Sequence, residues 1–298
     1  ETVTAQILDG QALAQDMRAE LKNEVDRLQA DHGIRPGLSV VLVGDDPASV
    51  SYVKGKRKAA SEVGVYSVES KFDADLPQAD LIAEIERLND DDSVHGILVQ
   101  LPLPKGLDEE AALNAIDPDK DADGLHPMNL GRMIRGQDGF LPCTPHGVQQ
   151  ILVRSGVEVA GKHVVVVGRS TLVGRPLANI LTQKGPGANA TVTICHTGTQ
   201  DLAYHTRQAD ILVVVTGVRN TVTADMVKPG VVVVDVGVNR IDDATRKRGW
   251  RLVGDVDFDG VKEVASAITK VPGGVGPWTI TMLLYNTIQA AKRAHSIT

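Results

Sequence analysis

The apolar positions of this chain recur with two periods, and segments of the two kinds alternate. Short unbroken runs of aliphatic residues, such as 38–43 and 164–167, are typical of strands buried on both faces. Between such runs, apolar residues recur three or four positions apart, as a helix requires. This alternation predicts a mostly parallel sheet with helices on both faces.

In the first half of the chain, the pattern predicts four strands and three helices. The first helix carries Leu13, Met17, Leu21, Val25 and Leu28 on one face and ends near Gly33. The second helix covers residues 49–63, and the third carries Leu81, Ile85 and Leu88. The predicted strands cover residues 5–8, 38–43, 65–71 and 95–101.

A change of composition marks a domain boundary in the middle of the chain. Residues 117–127 are polar and rich in turn formers, and residues 131–145 are rich in Gly and Pro. We therefore predict a first domain over residues 1–148, completed by a helix over 275–298, and a second domain over 149–274. The final helix is expected to cross back and pack on the first domain.

The second half of the chain repeats the strand and helix alternation. A predicted helix over 145–155 precedes the run of valines, and the last helix is predicted over 279–295. Further strands are predicted at 191–195, 211–215, 231–236 and 251–253. The predicted fold class is α/β, with two αβ domains separated by a deep cleft. The second domain is expected to be a Rossmann-like, doubly wound parallel sheet.

The stretch 164–176, VVVVGRSTLVGRP, joins a buried strand to a helix through a glycine-containing turn. Gly168, Ser170 and Gly174 lie in the turn, where free backbone N–H groups and the positive end of the helix suit a pyrophosphate. Arg169 adds a fixed positive charge. The spacing is G-x-S-x-x-x-G and not the full G-x-G-x-x-G, so an ordinary strand-to-helix turn remains an alternative.

Composition excludes several classes of protein. A net charge of −7 and an aromatic content of 3% argue against a nucleic-acid-binding protein. With only Cys143 and Cys195, the chain has neither a disulfide framework nor a paired-cysteine zinc pattern. No apolar run approaches the ~18 residues of a membrane span, and the N-terminal residues do not resemble a signal peptide. The expected location is the cytoplasm.

Three polar residues of the first domain are candidates for chemistry. Tyr52 and Lys56 are four positions apart and share one face of a predicted helix. The alternative is a solvated basic face, with Lys54 and Arg57, and one tyrosine in the core. Gln100 ends an otherwise apolar strand, where ligands bind in open α/β sheets.

The acidic stretch 119–123 has two readings. Asp119, Asp121 and Asp123 could form a turn that caps itself or a metal loop. The spacing lacks the glycine and terminal glutamate of a calcium loop, so we predict no metal. His126 and His196 lie in predicted loops, far in sequence from other zinc ligands.

The cofactor can be inferred from the end of the second strand of the nucleotide domain. A fold that binds NAD normally has Asp or Glu there, against the ribose hydroxyls. Residues 195–199 read CHTGT, without a carboxylate, and Arg169 is nearby in the predicted fold. A neutral or basic group suits a 2′-phosphate better, so the sequence favours NADP.

Nine segments, in order along essentially the whole chain, resemble the signature blocks of the bifunctional methylenetetrahydrofolate dehydrogenase/cyclohydrolase family. They read SYVKGKRKAA, GILVQLPLP, DKDADGLHPMNLGR, PCTPHGV, VVVVGRSTLVGRP, ATVTICHTGT, MVKPGVVVVDVGVNR, LVGDVDF and VPGGVGPWT. The resemblance implies NADP-linked oxidation of 5,10-methylenetetrahydrofolate to 5,10-methenyltetrahydrofolate. It also implies hydrolysis of that product to 10-formyltetrahydrofolate, and a homodimer.

The resemblance also implies a role for particular residues. Lys56 would be the catalytic lysine, with Tyr52 along the folate ring, Gln100 bonded to Lys56, and Asp123 at the pterin edge. The other implied substrate-binding residues are Leu101, Pro272, Gly273 and Gly274. The implied cofactor-binding residues are Gly168, Arg169, Ser170, Gly174, His196, Thr197, Gly217, Val238 and Thr279. The chain departs from the family pattern at positions that include Thr197, Arg219, Lys270 and Trp278.

Two alternatives remain beside the bifunctional enzyme. One is a dehydrogenase that has lost the hydrolysis, and the other is a nucleotide-binding sensor without turnover. Retention of Tyr52, Lys56, Gln100 and Asp123 together argues against the sensor, because cofactor binding requires none of them.

Overall fold

The structure, a computed structural model, describes residues 4–297. By backbone contacts the chain divides into two compact units. One comprises the residues up to Ala14 together with Thr144–Thr279, and the other comprises Gln15–Cys143 and the residues from Ile280 onward. The division falls within three helices. The domain limits 1–148 and 149–274 remain a prediction, as does the cleft between the domains.

The nucleotide-domain unit is built on a parallel six-stranded sheet. The strand order is β1-β11-β8-β7-β5-β6, and each pair of neighbours is parallel. The strands are β1 (Gln6–Leu8), β5 (His163–Val167), β6 (Thr191–Cys195), β7 (Ile211–Val214), β8 (Val232–Asp235) and β11 (Ala267–Thr269). The predicted doubly wound parallel sheet is confirmed. The N-terminal strand β1 joins it through β11, a pairing that the sequence pattern does not reveal.

Strand β5 occupies the point where the winding of this sheet reverses. The chain passes from β5 to β6 on one side and then returns to β7 on the other side. The four valines at 164–167 are at most 2% exposed, as the β-branched run predicts. Helices α6 (Cys143–Arg154), α7 (Gly174–Thr182), α8 (Leu202–Thr206) and α9 (Phe258–Val261) accompany these strands. The carboxyl end of β5 is therefore at a topological switch point, where such sheets bind ligands.

Residues 251–253 form a strand, but not in the parallel sheet. Strand β10 (Trp250–Val253) pairs antiparallel with β9 (Asn239–Asp242) in a separate two-stranded ribbon. The expectation that it continues the doubly wound series is wrong. A polar seven-residue connection cannot hold a crossover helix, so the two strands form a hairpin.

The second unit contains a parallel three-stranded sheet in the order β3-β2-β4. Its strands are β2 (Gly37–Val43), β3 (Tyr66–Phe72) and β4 (Gly96–Val99). Its helices include α2 (Pro47–Val63), α3 (Gln78–Asn89), α4 (Glu109–Ala115) and α5 (Pro127–Ile134), with most of α1 (Gly10–His32) and α10 (Gly276–Ala294). Leu81, Ile85 and Leu88 of α3 are at most 1% exposed and pack into one core cluster with Val41 and Ile97.

Helices α4 and α5 lie in segments that carry no predicted helix. Helix α5 falls in the predicted connection, but Pro127 at its first turn and the His126 ring, which accepts from the Met128 N–H, give it a well-formed start. Both helices are short, so their apolar faces span too few positions to show a period. Within residues 4–297, no helix is long and apolar enough to span a membrane.

Candidate active site

Helix α2 carries the lysine that the sequence singles out. The Asp46 carboxylate caps its start by accepting from the Ser49 N–H at 2.8 Å, and Gly64 ends it with a left-handed φ of 91°. Along the helix Lys56 is only 9% exposed, whereas most lysines remain in solvent. A buried ammonium needs partners, and α2 holds this one beside the end of a strand.

Lys56 and Gln100 form a buried hydrogen bond. Lys56 Nζ donates to Gln100 Oε1 at 2.9 Å, and Gln100 Nε2 donates to the Leu101 carbonyl at 2.8 Å. Gln100 directly follows β4, so it lies at the carboxyl end of that strand. On the same helix Tyr52 is 60% exposed. Lys54 and Arg57 are exposed, as the alternative expects. Its tyrosine in the core is wrong, because Lys56 is the buried residue and Tyr52 the exposed one.

Asp123 lies within electrostatic reach of Lys56. Burial raises the pKa of the half-buried Asp123 carboxyl, and the Lys56 charge opposes that rise. The Cys143 N–H donates to the Asp123 carbonyl at 3.2 Å. Burial also raises the pKa of the Cys143 thiol well above its usual value, and the thiol donates to the Ala122 carbonyl at 3.3 Å. A carboxyl that accepts a proton above its usual pH can serve as donor or acceptor to a bound ligand.

Asn286 of α10 fixes the backbone just before Asp123 and just before Cys143. Its side-chain Nδ2 donates to the Ala122 carbonyl at 2.9 Å and to the Leu141 carbonyl at 3.0 Å. Asn286 is 2% exposed. No role for Asn286 is predicted from the sequence. The available signal was an amide on the apolar face of the last helix.

The acidic stretch 119–123 forms a turn that caps itself. The buried Asp121 carboxylate accepts from the N–H groups of Gly124, Leu125 and His126, at 3.1, 3.3 and 2.9 Å, and from Asn129 Nδ2 at 2.9 Å. Burial nevertheless raises the pKa of Asp121. Across residues 4–297, no group of three or more His, Cys, Asp or Glu side chains could hold a metal ion.

In the other unit, the turn after β5 has the close backbone packing of a phosphate cradle. Gly168 has φ 137°, and a Cβ there would lie 2.3 Å from the Val215 carbonyl oxygen. A Cβ at Gly174 would lie 2.2 Å from the Gly168 carbonyl oxygen. The Ser170 hydroxyl accepts from the Val173 N–H at 3.1 Å, which fixes the turn. These positions admit only glycine, and the turn leads into the amino end of α7, so the residues present fit a pyrophosphate.

The charged and polar groups around this turn suit a further phosphate. The Arg169 side chain is exposed, and its guanidinium has no hydrogen bond or ion pair with any residue that the structure describes. His196 and Thr197 follow β6 directly. The His196 ring accepts from the Gly198 N–H at 3.1 Å, and the His196 N–H donates to Thr199 Oγ1 at 2.8 Å. The segment that follows β6 thus presents an imidazole and hydroxyls.

Asp255 fixes the backbone beside two of the predicted cofactor residues. Its fully buried carboxylate accepts from the N–H groups of Thr216, at 2.6 Å, and Gly217, at 2.9 Å. It also accepts from Asn239 Nδ2 at 2.8 Å, next to Val238, which is 54% exposed. One side chain therefore positions the segments after β7 and β8. Sequence reasoning missed this role, although an Asp two residues after a predicted strand was a usable signal.

Asp235 is a second buried carboxylate at the same edge of the sheet. It ends β8 and accepts from the N–H groups of Gly237, Asp255 and Val256, at 3.1, 3.0 and 3.0 Å. Burial raises the pKa of Asp235 to about 6 in spite of these bonds. The residue supports the Asp255 segment and titrates near neutral pH.

The PGG segment at 272–274 packs against the start of α1. The Gln11 N–H donates to the Gly273 carbonyl at 2.9 Å, and a Cβ at Gly10 would lie 2.1 Å from the Gly274 carbonyl oxygen. Lys270, one of the departures from the family pattern, pairs with Asp9 at 3.5 Å between Nζ and Oδ2. The unusual lysine therefore helps to attach this segment to the start of α1.

Trp278 and Thr279, which follow this segment, contact residues of α6. Trp278, another departure, is fully buried, and a Cβ at Gly147 would lie 2.7 Å from the Trp278 Cβ. The Thr279 hydroxyl lies 2.8 Å from the Thr144 hydroxyl.

The predicted site residues fall into two groups, one in each unit. Tyr52, Lys56, Gln100, Leu101 and Asp123 belong to one unit, and the nine cofactor residues and the PGG segment belong to the other.

A parallel, doubly wound sheet with a glycine cradle at its switch point defines a nucleotide-binding α/β protein. Two family models divide the chain between them. The tetrahydrofolate dehydrogenase/cyclohydrolase catalytic domain matches residues 8–123, and the NAD(P)-binding domain of the same family matches residues 142–295. The chain belongs to the tetrahydrofolate dehydrogenase/cyclohydrolase family.

Individual relatives match over nearly the whole chain. The bifunctional protein FolD of Chlorobium phaeobacteroides is 53% identical over 98% of this chain and 100% of its own length. Among solved structures, FolD of Campylobacter jejuni has a TM-score of 0.91 at 48% identity and covers 97% of this chain and 99% of its own. The Trypanosoma brucei enzyme, solved with NADP cofactor and inhibitor, has a TM-score of 0.91 at 42% identity, over 98% and 99% of the two chains.

Proposed function

We propose that Lys56, held by Gln100, carries the proton transfer of a bifunctional folate enzyme. The chain oxidises 5,10-methylenetetrahydrofolate to 5,10-methenyltetrahydrofolate and hydrolyses that product to 10-formyltetrahydrofolate. The observation that carries the residue assignment is the buried 2.9 Å hydrogen bond between Lys56 Nζ and Gln100 Oε1. A nucleotide-binding protein without turnover has no need for a buried lysine in the unit that does not carry the nucleotide turn.

The cofactor of the oxidation is NADP, which accepts the hydride from the methylene carbon when it is bound. The Trypanosoma brucei relative was solved with NADP. In this chain, the cradle formed by Gly168 and Gly174 would hold the pyrophosphate, and the exposed Arg169 would hold the 2′-phosphate. We further assign Ser170, His196 and Thr197 to the adenosine side, and Gly217, Val238 and Thr279 to the rest of the cofactor.

For the oxidation, the protein has only to bind and orient the folate. Loss of the hydride leaves a methenyl cation, stabilised by its two nitrogen neighbours, and requires no nucleophile from the protein. We assign Tyr52, with its exposed ring, to stacking along the folate, and Asp123 to the pterin edge. The raised pKa of Asp123 suits a carboxyl that pairs with ring nitrogens. Leu101, Pro272, Gly273 and Gly274 would complete the folate contacts.

For the hydrolysis, a proton must leave the attacking water. Water adds to the methenyl carbon, and the bond from that carbon to N5 then breaks. The water oxygen becomes the formyl oxygen, one of the two water protons ends on N5, and the other leaves to solvent. An unprotonated Lys56 amine can accept the proton of the water, while Gln100 Oε1 holds one Lys56 N–H and so directs the nitrogen lone pair elsewhere.

We also propose that the enzyme is a homodimer and acts in the cytoplasm. The dimer is supported by the family resemblance. The location is the one expected from the sequence. The limits 1–148 and 149–274 are proposed as its domains.

One assay separates this function from its alternatives. Protein, methylenetetrahydrofolate and NADP are mixed, and NADPH and the methenyl product are followed separately. NADPH without accumulation of methenyltetrahydrofolate supports both activities. If methenyltetrahydrofolate accumulates and disappears no faster than it does without protein, the chain is a dehydrogenase alone. If no NADPH forms, only the nucleotide-binding sensor remains.

A further inference from the structure

The connection between β9 and β10 concentrates positive charge in a chain of net negative charge. The connection carries Arg246, Lys247 and Arg248, and Trp250 and Arg251 follow at the start of β10. The whole chain has a net charge of −7. None of the site residues assigned above lies in this stretch, so its charge has no role in the reaction so far.

All of these side chains except that of Lys247 line a pocket of about 260 Å³, which we call the arginine pocket. Its walls are formed by Arg246, Arg248, Trp250, Arg251, Leu252, Val271 and Pro272. Three guanidinium groups therefore face a space large enough for one or two carboxylate groups with their carbon chain. Leu252, Val271 and Pro272 form the apolar part of the lining. Pro272 is the first residue of the PGG segment.

The positive charge of the arginine pocket is only partly balanced. Asp243 pairs with Arg251 at 3.2 Å and with Arg246 at 3.8 Å. Arg248 has no acidic partner among the residues that the structure describes, and its guanidinium carbon lies 4.9 Å from the centre of the Trp250 ring. Stacking on an aromatic face holds a guanidinium in place and leaves its N–H groups available. The pocket is therefore arranged to accept an anion.

The position of the pocket identifies the kind of anion. Pro272 is one of the proposed folate contacts, and the Gln11 bond to Gly273 fixes the segment that carries it. A tetrahydrofolate ends in a glutamate, and each further γ-linked glutamate adds one carboxylate to that tail. A tail that leaves the folate past Pro272 would enter the arginine pocket. Arginine binds carboxylates through two parallel N–H···O bonds.

We propose that the arginine pocket binds the carboxylates of the γ-glutamyl tail of the folate substrate. The proposal rests on the proposed folate-binding role of Pro272. Arg246 and Arg251 are 66% and 51% exposed, so each contact is weakened by solvent and salt. The affinity gain is therefore expected from several carboxylates together, and it should fall as the salt concentration rises.

The test compares folate substrates that differ only in their tail. KM is measured for methylenetetrahydrofolate with one glutamate and with three γ-linked glutamates, at low and at high salt. The unmodified enzyme should favour the longer tail by roughly tenfold at low salt, as expected if two exposed charge pairs contribute about 0.7 kcal/mol each. In the Arg246→Gln/Arg248→Gln variant, this preference should fall to within about twofold. Lys247→Gln, which removes a neighbouring charge outside the pocket lining, should retain it.

Each outcome of this test bears on the proposal. Equal KM values for the two tails in the unmodified enzyme would overturn it, and so would a preference that survives in the double variant. If the double substitution instead raises KM for NADP and leaves the tail preference intact, the pocket binds a cofactor phosphate, and the tail proposal is wrong. Absence of turnover with either substrate would overturn the proposed function itself, whereas turnover without tail preference overturns only this inference.

Discussion

Lys56 and Gln100 are joined by a hydrogen bond of 2.9 Å in which the lysine donates and the amide oxygen accepts. The Gln100 amide cannot rotate by 180° without losing a second hydrogen bond, because its nitrogen donates to the Leu101 carbonyl at 2.8 Å. Gln100 therefore presents only an oxygen to Lys56. A neutral acceptor holds the lysine in place without adding a negative charge that would keep it protonated.

A charged replacement at Gln100 should impair the hydrolysis in a pH-dependent way. In Gln100→Glu, the carboxylate favours the protonated form of Lys56, so cyclohydrolase activity at pH 7 should fall by about tenfold or more. Raising the pH should recover part of the loss, and this is seen by measuring the pH–rate profile of methenyltetrahydrofolate hydrolysis. Gln149→Glu is the control, since Gln149 donates to the Gly187 carbonyl at 3.0 Å in a similar way. A Gln100→Glu profile that matches the control would contradict the role given to Gln100.

Arg169 should determine the choice between NADP and NAD. A charge-assisted hydrogen bond contributes about 1.5–3 kcal/mol, so one good phosphate contact should favour NADP by roughly ten- to a hundredfold in kcat/KM. Arg169→Ala should bring that ratio toward unity. Lys184→Ala, an exposed cation that follows the other end of α7, should leave it unchanged. Equal kcat/KM for the two cofactors in the unmodified enzyme would refute the assignment.

The buried Asp235 should make stability depend on pH in a known direction. Its pKa is about 6 in the folded protein against an ordinary value of 3.8 in the unfolded chain, so between these values the folded chain binds more protons than the unfolded chain. Stability from this group is therefore present at low pH and is lost as the pH rises toward 6. The loss amounts to about 3 kcal/mol for a shift of this size.

The Asp235→Asn variant isolates this effect, because it lacks the titrating group and keeps all the others. Asparagine turns an N–H donor toward backbone N–H groups, so the variant should be less stable at every pH. Urea unfolding followed from pH 4 to 7 should show the advantage of the unmodified protein shrinking by up to about 3 kcal/mol as the pH rises. An advantage that stays constant or grows would show that Asp235 ionises at its ordinary pH.

The proposed homodimer has a simple test. Sedimentation at micromolar concentration should give about twice the chain mass of 31.7 kDa. A species with the mass of a single chain across that range would contradict the assembly.

The elements that sequence could predict are those whose signal is local and repeated. The four valines of β5 and the apolar face of α1 show their period directly, and both elements form where it predicts them. The β9–β10 ribbon differs, since a strand period does not say which neighbour the strand pairs with. The pairing of β1 with β11 joins residues near opposite ends of the chain, so no local pattern encodes it.

The same distinction applies to the site. Gln100 could be singled out because it ends an apolar strand, where ligands bind. Lys56 could be singled out because it shares a helix face with Tyr52 and matches the family pattern. The role of Asn286 depends on its contact with Ala122, which is 164 positions away in the chain. The role of Asp255 depends on its contact with Thr216, which is 39 positions away. A polar side chain that satisfies distant backbone groups looks, in sequence, like any other polar residue. Such supporting residues become visible only when the packing is known.

The most direct test of the account is the hydrolysis rate of the Lys56→Met variant. Methionine keeps the length and the apolar stem but removes the amine, so cyclohydrolase activity should fall by at least about a hundredfold, in line with the usual contribution of a positioned proton-transfer group. Affinity for NADP should stay within roughly threefold, because no phosphate contact is lost. Lys54→Met, an exposed lysine on the same helix, is the matched control and should hydrolyse methenyltetrahydrofolate at the original rate. If Lys56→Met hydrolyses it as fast as that control, Lys56 is not the proton acceptor and the central claim is wrong.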